Sequence, residues 1–232
     1  MPLRLSAAPL ADLAVESPFL EGLCPGEIEH VLAAATRRQV HARTIITRQG
    51  EPANHLYMLV TGRARYFIDT NKGQKMLLMW IVPGGMIGSG AVTPKIVNYA
   101  ASAEAVRDST LLCWDRAVIR ELMARYPRLL DNSLSIAAEY LTWSIETFVG
   151  LTSHTAPERL AHILLGLVRI LGEPVNEGVE LDVTNEELAS GANVTLYTVS
   201  RLLSGWQRRG LVRKLRGRII VRSPETLLAH AG

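Results

Sequence analysis

Residues 184–203 read TNEELASGANVTLYTVSRLL, a pattern that predicts a helix-turn-helix. Thr184 and Glu187 have the spacing of a capping box at the start of a helix. Asn193 falls in the turn, where a backbone tolerant of positive φ is wanted, and Thr195 can cap the second helix. Apolar side chains recur where two short helices would share a core: Leu188, Ala192, Val194, Val199 and Leu202.

The segment that follows is basic: Arg201 to Arg222 holds eight Lys or Arg residues and no Asp or Glu. Residues 210–221, GLVRKLRGRIIV, predict two short strands around a tight turn at Arg216-Gly217-Arg218. A basic hairpin directly after a recognition helix is typical of the wing of a winged helix. We therefore expect double-stranded DNA as a partner; the alternative is a solvated basic face on a small helical domain.

Composition agrees with a folded protein whose positive charge is local. The chain has 232 residues, enough for two modest domains, and 48% apolar residues argue against disorder. The net charge is only +3, so the basic stretch is a stripe and not a property of the whole surface.

The sequence lacks the residue patterns that several classes of protein require. Cys24 and Cys113 are too few for an iron–sulfur cluster or a Cys-rich zinc site, and the six histidines form no ligand motif, so no metal site is expected. Nucleophile, phosphate-loop and paired-carboxylate motifs do not stand out either, so we do not expect an enzyme. The chain starts without a signal-peptide pattern, and its most apolar helical run, residues 163–171, is short and contains Arg169. We expect a cytoplasmic protein with no membrane contact.

Changes in predicted secondary structure along the chain suggest three parts: a sensor domain with flanking helices (1–126), a dimerisation helix and hinge (127–154), and a DNA-binding domain (155–232). Residues 1 to about 40 look helical. From Thr44 to about Trp114, short β-rich runs separated by glycines indicate a barrel or jelly roll. The candidate strands are 45–46, 56–60, 64–68, 76–82 and 111–114, followed by a helix at 116–126.

A long helix is predicted from Pro127 to about Ser153, with an apolar seam at steps of three or four residues. The seam can pack on its own domain, but helix-turn-helix proteins usually pair to read two half-sites, which favours a homodimer. At 154–158 the long helix is expected to end and a new helix to begin. Thr155 would cap the new helix, and the Glu158 side chain would bond back to the cap, which marks a hinge. The dimer candidates are Leu134, Leu141, Ile145 and Phe148.

Three stretches together resemble the CRP/FNR superfamily of bacterial transcription factors: residues 50–62, GEPANHLYMLVTG; residues 73–88; and the helix-turn-helix at 184–203. The resemblance implies an α+β fold with an N-terminal β-roll of the cyclic-nucleotide-binding type, a long dimerisation helix and a C-terminal winged helix. It also implies a homodimer that regulates transcription at a roughly palindromic operator, with RNA polymerase as a further partner.

The sequence departs from the family in the effector cassette. Cyclic-nucleotide binders carry a Glu soon after the glycine and an Arg-Ser or Arg-Thr pair later; Ser89 and Tyr99-Ala100 stand there. A phosphate buried without a cation is strongly disfavoured, so cyclic AMP is not expected. Haem is disfavoured as well, because no His or Cys lies between Met86 and Ser109, where a ligand would be expected.

The effector therefore stays unknown at this point. Either the roll takes an uncharged or hydrophobic molecule, or Met and Trp side chains fill it and the regulator has no ligand. Ser144 and Ile145 would be the nearest residues of a dimer partner. The candidate pocket positions besides these two are Leu78, Trp80, Met86, Ile87, Gly88, Ser89, Gly90, Ala91, Tyr99 and Ala100.

The second helix of the motif, Thr195 to Ser204, is expected to enter the major groove with its N-terminal residues against base edges. Arg201 is the best base-reading candidate, helped by Thr195, Leu196, Tyr197 and Ser200. Leu196 and Tyr197 favour thymine methyls and one hydrogen bond, unless Leu196 only packs on Val199. Arg216 and Arg218 are expected to touch phosphates. Val199, Leu202, Leu203 and Trp206 are expected to face inward.

A second function class stays open: an effector-binding or protein-interaction scaffold with little DNA activity.

Overall fold

The computed structural model describes residues 17–69 and 75–230, so the expectations for residues 1–16 and for Gly73 lie outside the described residues. By backbone contacts the chain forms two units: one holds the residues up to Ile68 together with Met79–Thr142, and the other holds Asp69–Leu78 together with Trp143–Gly232. The three-part division at 126 and 154 stays a prediction.

Eight strands form a β-roll of two four-stranded sheets, and apart from Asp69 and residues 75–78 these strands belong to the first unit. One sheet has the order β1-β8-β3-β6, formed by β1 (Thr36–Val40), β8 (Ser109–Asp115), β3 (His55–Thr61) and β6 (Met86–Ile87). The other has the order β2-β7-β4-β5, formed by β2 (Ile45–Thr47), β7 (Ser102–Ala105), β4 (Ala64–Asp69) and β5 (Lys75–Ile81).

Strand β3 shows why the roll holds together. Its residues 56–60 are all buried, because both faces of the strand are covered. Tyr57 and Leu59 point into the interior between the sheets. Leu56, Met58 and Val60 alternate with them and pack with α1 (Pro25–Ala33) and α2 (Arg116–Arg125). The continuous apolar run is therefore a central strand with two cores.

The strands predicted at 45–46, 56–60, 64–68 and 111–114 are confirmed as parts of β2, β3, β4 and β8. The strand predicted at 76–82 and the helix predicted at 116–126 are confirmed as β5 and α2, each of which ends one residue earlier than predicted. The expectation of helix up to about residue 40 is wrong for residues 36–40, which form β1 against β8. The segment TRRQV has no buried residue, so its strand pairing comes from β8 and not from its own apolar pattern.

The long helix α3 (Arg128–Ser153) is confirmed and begins in the first unit and ends in the second. After it come α4 (Ala156–Leu171), β9 (Glu173–Val175), β10 (Gly178–Leu181), α5 (Asn185–Ala192), α6 (Leu196–Arg208), β11 (Val212–Leu215), β12 (Arg218–Val221) and α7 (Pro224–Leu227). The strands form one antiparallel sheet of order β11-β12-β10-β9, of which β9 and β10 were not predicted. Among the described residues, no helix combines the length and apolar character that crossing a membrane requires.

Candidate nucleic-acid interface and effector cassette

The start of α5 is fixed by the predicted capping box. The Thr184 Oγ1 accepts a hydrogen bond from the Glu187 backbone N–H at 3.2 Å, and Glu187 Oε2 accepts one from the Thr184 N–H at 2.7 Å. Asn193 ends the helix with φ of 49°, in the left-handed region, as the turn requires. Thr195 caps α6, because its Oγ1 accepts a hydrogen bond from the Thr198 N–H at 3.1 Å. These contacts set the angle at which α6 leaves α5.

Helix α6 has a buried face and an open face. Val199, Leu203 and Trp206 are almost completely buried, as expected. Leu202 and Val194 are partly buried. The fully buried stripe runs from Val199 in steps of four and three, and Leu202 lies at its edge.

The open face carries the predicted readers. Tyr197 is 77% exposed and Leu196 50%, while Arg201 is exposed and Ser200 partly buried. Arg208, two turns beyond Arg201, continues the exposed side. The face therefore presents an aliphatic group, a phenol and a guanidinium near the helix N-terminus.

The predicted wing is β11 and β12, which pair from Val212–Val221 to Leu215–Arg218 and enclose the turn Arg216-Gly217. Gly217 has φ of 72°, which a side chain would strain. Two bonds tie the wing to α6: Gln207 Oε1 accepts from the Lys214 backbone N–H at 2.9 Å, and Lys214 Nζ lies 3.3 Å from Ser204 Oγ.

A groove of about 430 Å³ lies between the start of α5, the start of α6 and the wing. Apolar side chains and the backbone of Gly217 line part of it, and polar or charged groups stand around them. Its lining residues are Val183, Thr184, Asn185, Glu186, Leu196, Lys214, Leu215, Gly217, Arg218 and Ile219.

The basic residues of this region are not equivalent. Arg213 and Arg222 both bind Glu177, and Arg218 binds Glu180. Hydrogen bonds from Arg222 and Arg213 lower the pKa of the Glu177 carboxyl below its usual value. Within residues 17–69 and 75–230, no side-chain partner is found for Arg201, Arg208 or Arg216. These three arginines are available to an anionic ligand, and so is Lys214, whose Nζ contacts the neutral Ser204 hydroxyl.

In the β-roll, the cassette consists of β6, Gly88 and a 3₁₀ helix at Ser89–Val92. Gly88 has φ of 87°, and a Cβ there would lie 2.6 Å from the His55 carbonyl oxygen and 3.0 Å from the Tyr99 ring. The Tyr99 hydroxyl donates to that same carbonyl oxygen at 3.0 Å and accepts from the His55 N–H at 3.1 Å. The roll wall and Tyr99 are therefore packed directly against Gly88.

Two further tyrosines, which the sequence analysis missed, bond to the cassette backbone. The Tyr66 hydroxyl accepts from the Gly88 N–H at 2.8 Å, and burial raises the Tyr66 pKa, so the phenol stays neutral. Tyr140 of α3 donates to the Met86 carbonyl oxygen at 3.2 Å, and its ring meets the Tyr66 ring edge to face at 6.4 Å. Tyr66 lies in a predicted strand, so the alternation of side chains along that strand could have placed its ring inside the roll.

The candidate pocket positions do not form one lining. Met86 and Ile87 lie on opposite faces of β6: Met86 and Ala91 join the core under the helices, whereas Ile87 joins the interior between the sheets, so the expectation of one shared cavity is wrong for them. Trp80, Gly88 and Tyr99 are buried. Leu78, Ser89 and Gly90 are partly buried, while Ala100, Ser144 and Ile145 are exposed.

On α3, the predicted dimer residues share an uncovered apolar side. Leu134 is 63% exposed, Leu141 61%, Ile145 55% and Phe148 67%. Side chains of this size are rarely left in water as a continuous stripe on a helix. The stripe is a surface that a partner could cover.

The junction after α3 carries the predicted cap. Thr155 Oγ1 and Glu158 form the reciprocal capping box at the start of α4. The imidazole rings of His154 and His162 are stacked, with centroids 4.4 Å apart. Burial and the neighbouring His154 lower the pKa of His162, and Glu158 opposes them. In the part of the chain that the structure describes, no group of three or more His, Cys, Asp or Glu residues could hold a metal ion.

Comparison with known proteins places both halves of the chain. Residues 37–126 match the family described as the cyclic nucleotide-binding domain, and residues 158–230 match the Crp-like helix-turn-helix domain. The "Cyclic AMP receptor protein" of Thermus thermophilus is 30% identical over 211 residues, which cover 91% of this chain and 95% of that protein. The chain belongs to the CRP/FNR family of DNA-binding transcription regulators.

One further relative and one solved structure are similar to this chain as well. The "Transcriptional activator protein FnrL" of Cereibacter sphaeroides is 26% identical over 203 residues, covering 84% of this regulator and 80% of that protein. The structure of FixK2 from Bradyrhizobium japonicum is similar in fold, with a TM-score of 0.74 at 23% identity, over 83% of this chain and 95% of that chain. The predicted family, fold class and DNA-binding function of this regulator are thus confirmed.

Proposed function

We propose that the regulator works as a homodimer that reads a roughly palindromic operator through helix α6. The observation that carries this proposal is the open face of α6. There the Arg201 guanidinium, which has no side-chain partner among the described residues, follows two exposed side chains at the helix N-terminus. A recognition helix in the major groove contacts base edges with its N-terminal residues. The exposed N-terminal part of α6 would therefore contact the duplex.

In this proposal Arg201 reads a guanine edge, since a guanidinium can bind two acceptors on that base. Leu196 and Tyr197 would contact a thymine methyl and form one hydrogen bond to a base edge. Ser200 and the capping Thr195 lie beside them. Leu196 lines the groove next to the wing and is half exposed, which argues against a purely internal role. Arg216, at the exposed wing turn, contacts a phosphate.

The apolar stripe of α3 supports the dimer. Its members repeat at steps of seven, four and three residues, so a second copy of the same helix can cover them along a shared seam. The two α6 helices of such a dimer would fit half-sites about 34 Å apart. The predicted contact of Ser144 and Ile145 with the partner's β-roll belongs to the same arrangement.

We further propose that the β-roll folds and works without cyclic AMP. Ser89 and Tyr99-Ala100 replace the residues that hold the nucleotide in relatives, and three phenols bond or pack where the cassette closes. This favours the ligand-free alternative over a hydrophobic effector. Titration calorimetry with cyclic AMP should show no binding heat, and native mass spectrometry of the purified dimer should show the mass of two chains alone.

By family resemblance, RNA polymerase is the further partner, and the cytoplasm, where a bacterial chromosome lies, is the compartment. We propose no catalytic role. The scaffold alternative is separated from DNA reading by one experiment: duplexes selected from a random pool with the full chain should converge on a palindrome, and a pool that stays random would contradict the proposal.

A further inference from the structure

The wing sheet carries two separate groups of carboxylates and arginines. Glu180 on β10 binds Arg218 on β12, with Oε1 2.9 Å from Nη1. Glu180 pairs with Ile220 across the sheet, two residues from Arg218, so both side chains lie on one face. Glu177, in the turn before β10, binds Arg213 at 2.8 Å and Arg222 at 3.0 Å.

The two groups differ in their position relative to the groove beside α6. Arg218 lines this groove, next to Lys214 and Leu215, whereas Arg213 and Arg222 are not among its lining residues. The carboxylates differ as well: the Glu180 side chain is only 18% exposed, and that of Glu177 is 43% exposed. Of these two groups, the Glu180–Arg218 pair is therefore the one that combines a mostly buried acid with a cation at the groove.

We propose that Glu180 limits the affinity of this regulator for DNA by holding Arg218 in an internal ion pair. The inference rests on the proposed DNA-reading function. A guanidinium paired with a carboxylate brings no net charge to the groove, so it does not displace a counterion from the duplex. Moving Arg218 to a phosphate would leave a mostly buried carboxylate without its partner, which is strongly unfavourable.

This assignment changes which residues meet the DNA backbone. Arg218, which the sequence analysis grouped with Arg216 as a phosphate contact, stays with Glu180. Arg216 has no internal partner among the described residues and remains the phosphate contact of the wing. Glu180 is then an affinity-setting residue that never touches the duplex.

The test uses the full-length dimer and the duplex selected from a random pool by the unmodified chain. Binding is measured over a series of salt concentrations for Glu180→Gln. Glutamine keeps the size of the side chain but releases the positive charge of Arg218. We expect tighter binding at low salt and a log–log salt slope steeper by about one unit.

Glu177→Gln is the matched control, since it removes one carboxylate from the same sheet but releases arginines outside the groove. Its slope should stay close to that of the unmodified chain. Arg218→Gln alone should leave the slope unchanged, and combined with Glu180→Gln it should cancel the gain. Arg216→Ala should flatten the slope by about one unit in either background.

Opposite results would overturn the inference. Weaker binding by Glu180→Gln together with a flatter slope for Arg218→Gln would mean that Glu180 orients Arg218 onto a phosphate. Equal gains in affinity for Glu180→Gln and Glu177→Gln would mean that the effect comes from the change in net charge and not from release of Arg218. Thermal unfolding checks that each variant is folded. Where a single variant does not fold, the double variant Glu180→Gln/Arg218→Gln decides, because it leaves neither charge unpaired. A slope equal to that of the unmodified chain supports the inference, and a slope flatter by about one unit overturns it. Failure of the unmodified chain to bind any duplex would instead contradict the proposed function.

Discussion

The Tyr66 hydroxyl accepts a hydrogen bond from the Gly88 backbone N–H at 2.8 Å, which joins strand β4 to the cassette. Gly88 is buried, and a side chain there would collide with the backbone of His55. A buried N–H has few alternative partners, so this bond determines how the cassette closes.

Tyr66→Phe should therefore destabilise the protein without removing the ring that packs on Tyr140. An unsatisfied buried donor costs about 1–3 kcal/mol of the free energy of unfolding, measured by urea denaturation. Tyr126→Phe is the control, because its hydroxyl bonds to the exposed His30 and its loss should cost about 0.5 kcal/mol or less. A Tyr66→Phe protein as stable as this control would show that the bond is unimportant.

Leu141→Glu should convert the dimer to a monomer. The new carboxylate would be buried against its symmetry mate in the apolar stripe, at a cost of several kcal/mol. Light scattering coupled to size exclusion should report half the mass, while circular dichroism stays unchanged. Thr142→Glu, one residue away and also exposed, is the control and should remain dimeric. A dimeric Leu141→Glu protein would place the interface elsewhere.

Arg201→Ala should weaken binding to the selected duplex and relax its sequence preference. Losing a two-point contact to a base costs about 1–3 kcal/mol, or about 5- to 150-fold in Kd. The control is Arg169→Ala, an exposed arginine of α4 in the same unit, which should change Kd less than about twofold. Should both variants lose affinity equally for all sequences, Arg201 would be a phosphate contact and not a base reader.

Acid should destabilise the junction around α4. Burial and the stacked His154 lower the His162 pKa below 6.5, so the unfolded chain takes up a proton before the folded one does. The free energy of unfolding is therefore highest above pH 6.5 and falls as the pH drops toward the depressed folded pKa. Denaturation at a series of pH values should show this loss, and His162→Gln should remove it. The Glu158 pKa is lowered by its cap, so a separate loss below about pH 4.5 should remain.

Local signals made most of the helices and the wing predictable. Thr184, Asn193 and Thr155 act through neighbours within a few residues, so their roles are visible in a short window of sequence. Strand β1 could not be found in this way, because its exposed residues pair with a strand about 70 positions later in the chain.

The site was predictable in part for the same reason. The open face of α6 follows from helical periodicity, which separates Tyr197 from Val199. The pairing of Glu180 with Arg218 depends on the register of β10 against β12, and neither the strand β10 nor its register was predicted. The phenol of Tyr140 reaches Met86 from α3, 54 residues away, a contact that only the folded chain reveals.

The apolar stripe proposed for dimerisation and the open face proposed for DNA reading lie on different helices, α3 and α6. Under that proposal, a substitution confined to α6 leaves the α3 stripe unchanged, so a chain with a defective α6 would still associate with a normal copy. In a cell that makes equal amounts of both, about half of all pairs would be mixed and would carry a single working reader. A lesion in α6 would thus behave as genetically dominant, whereas a lesion in the α3 stripe would be recessive.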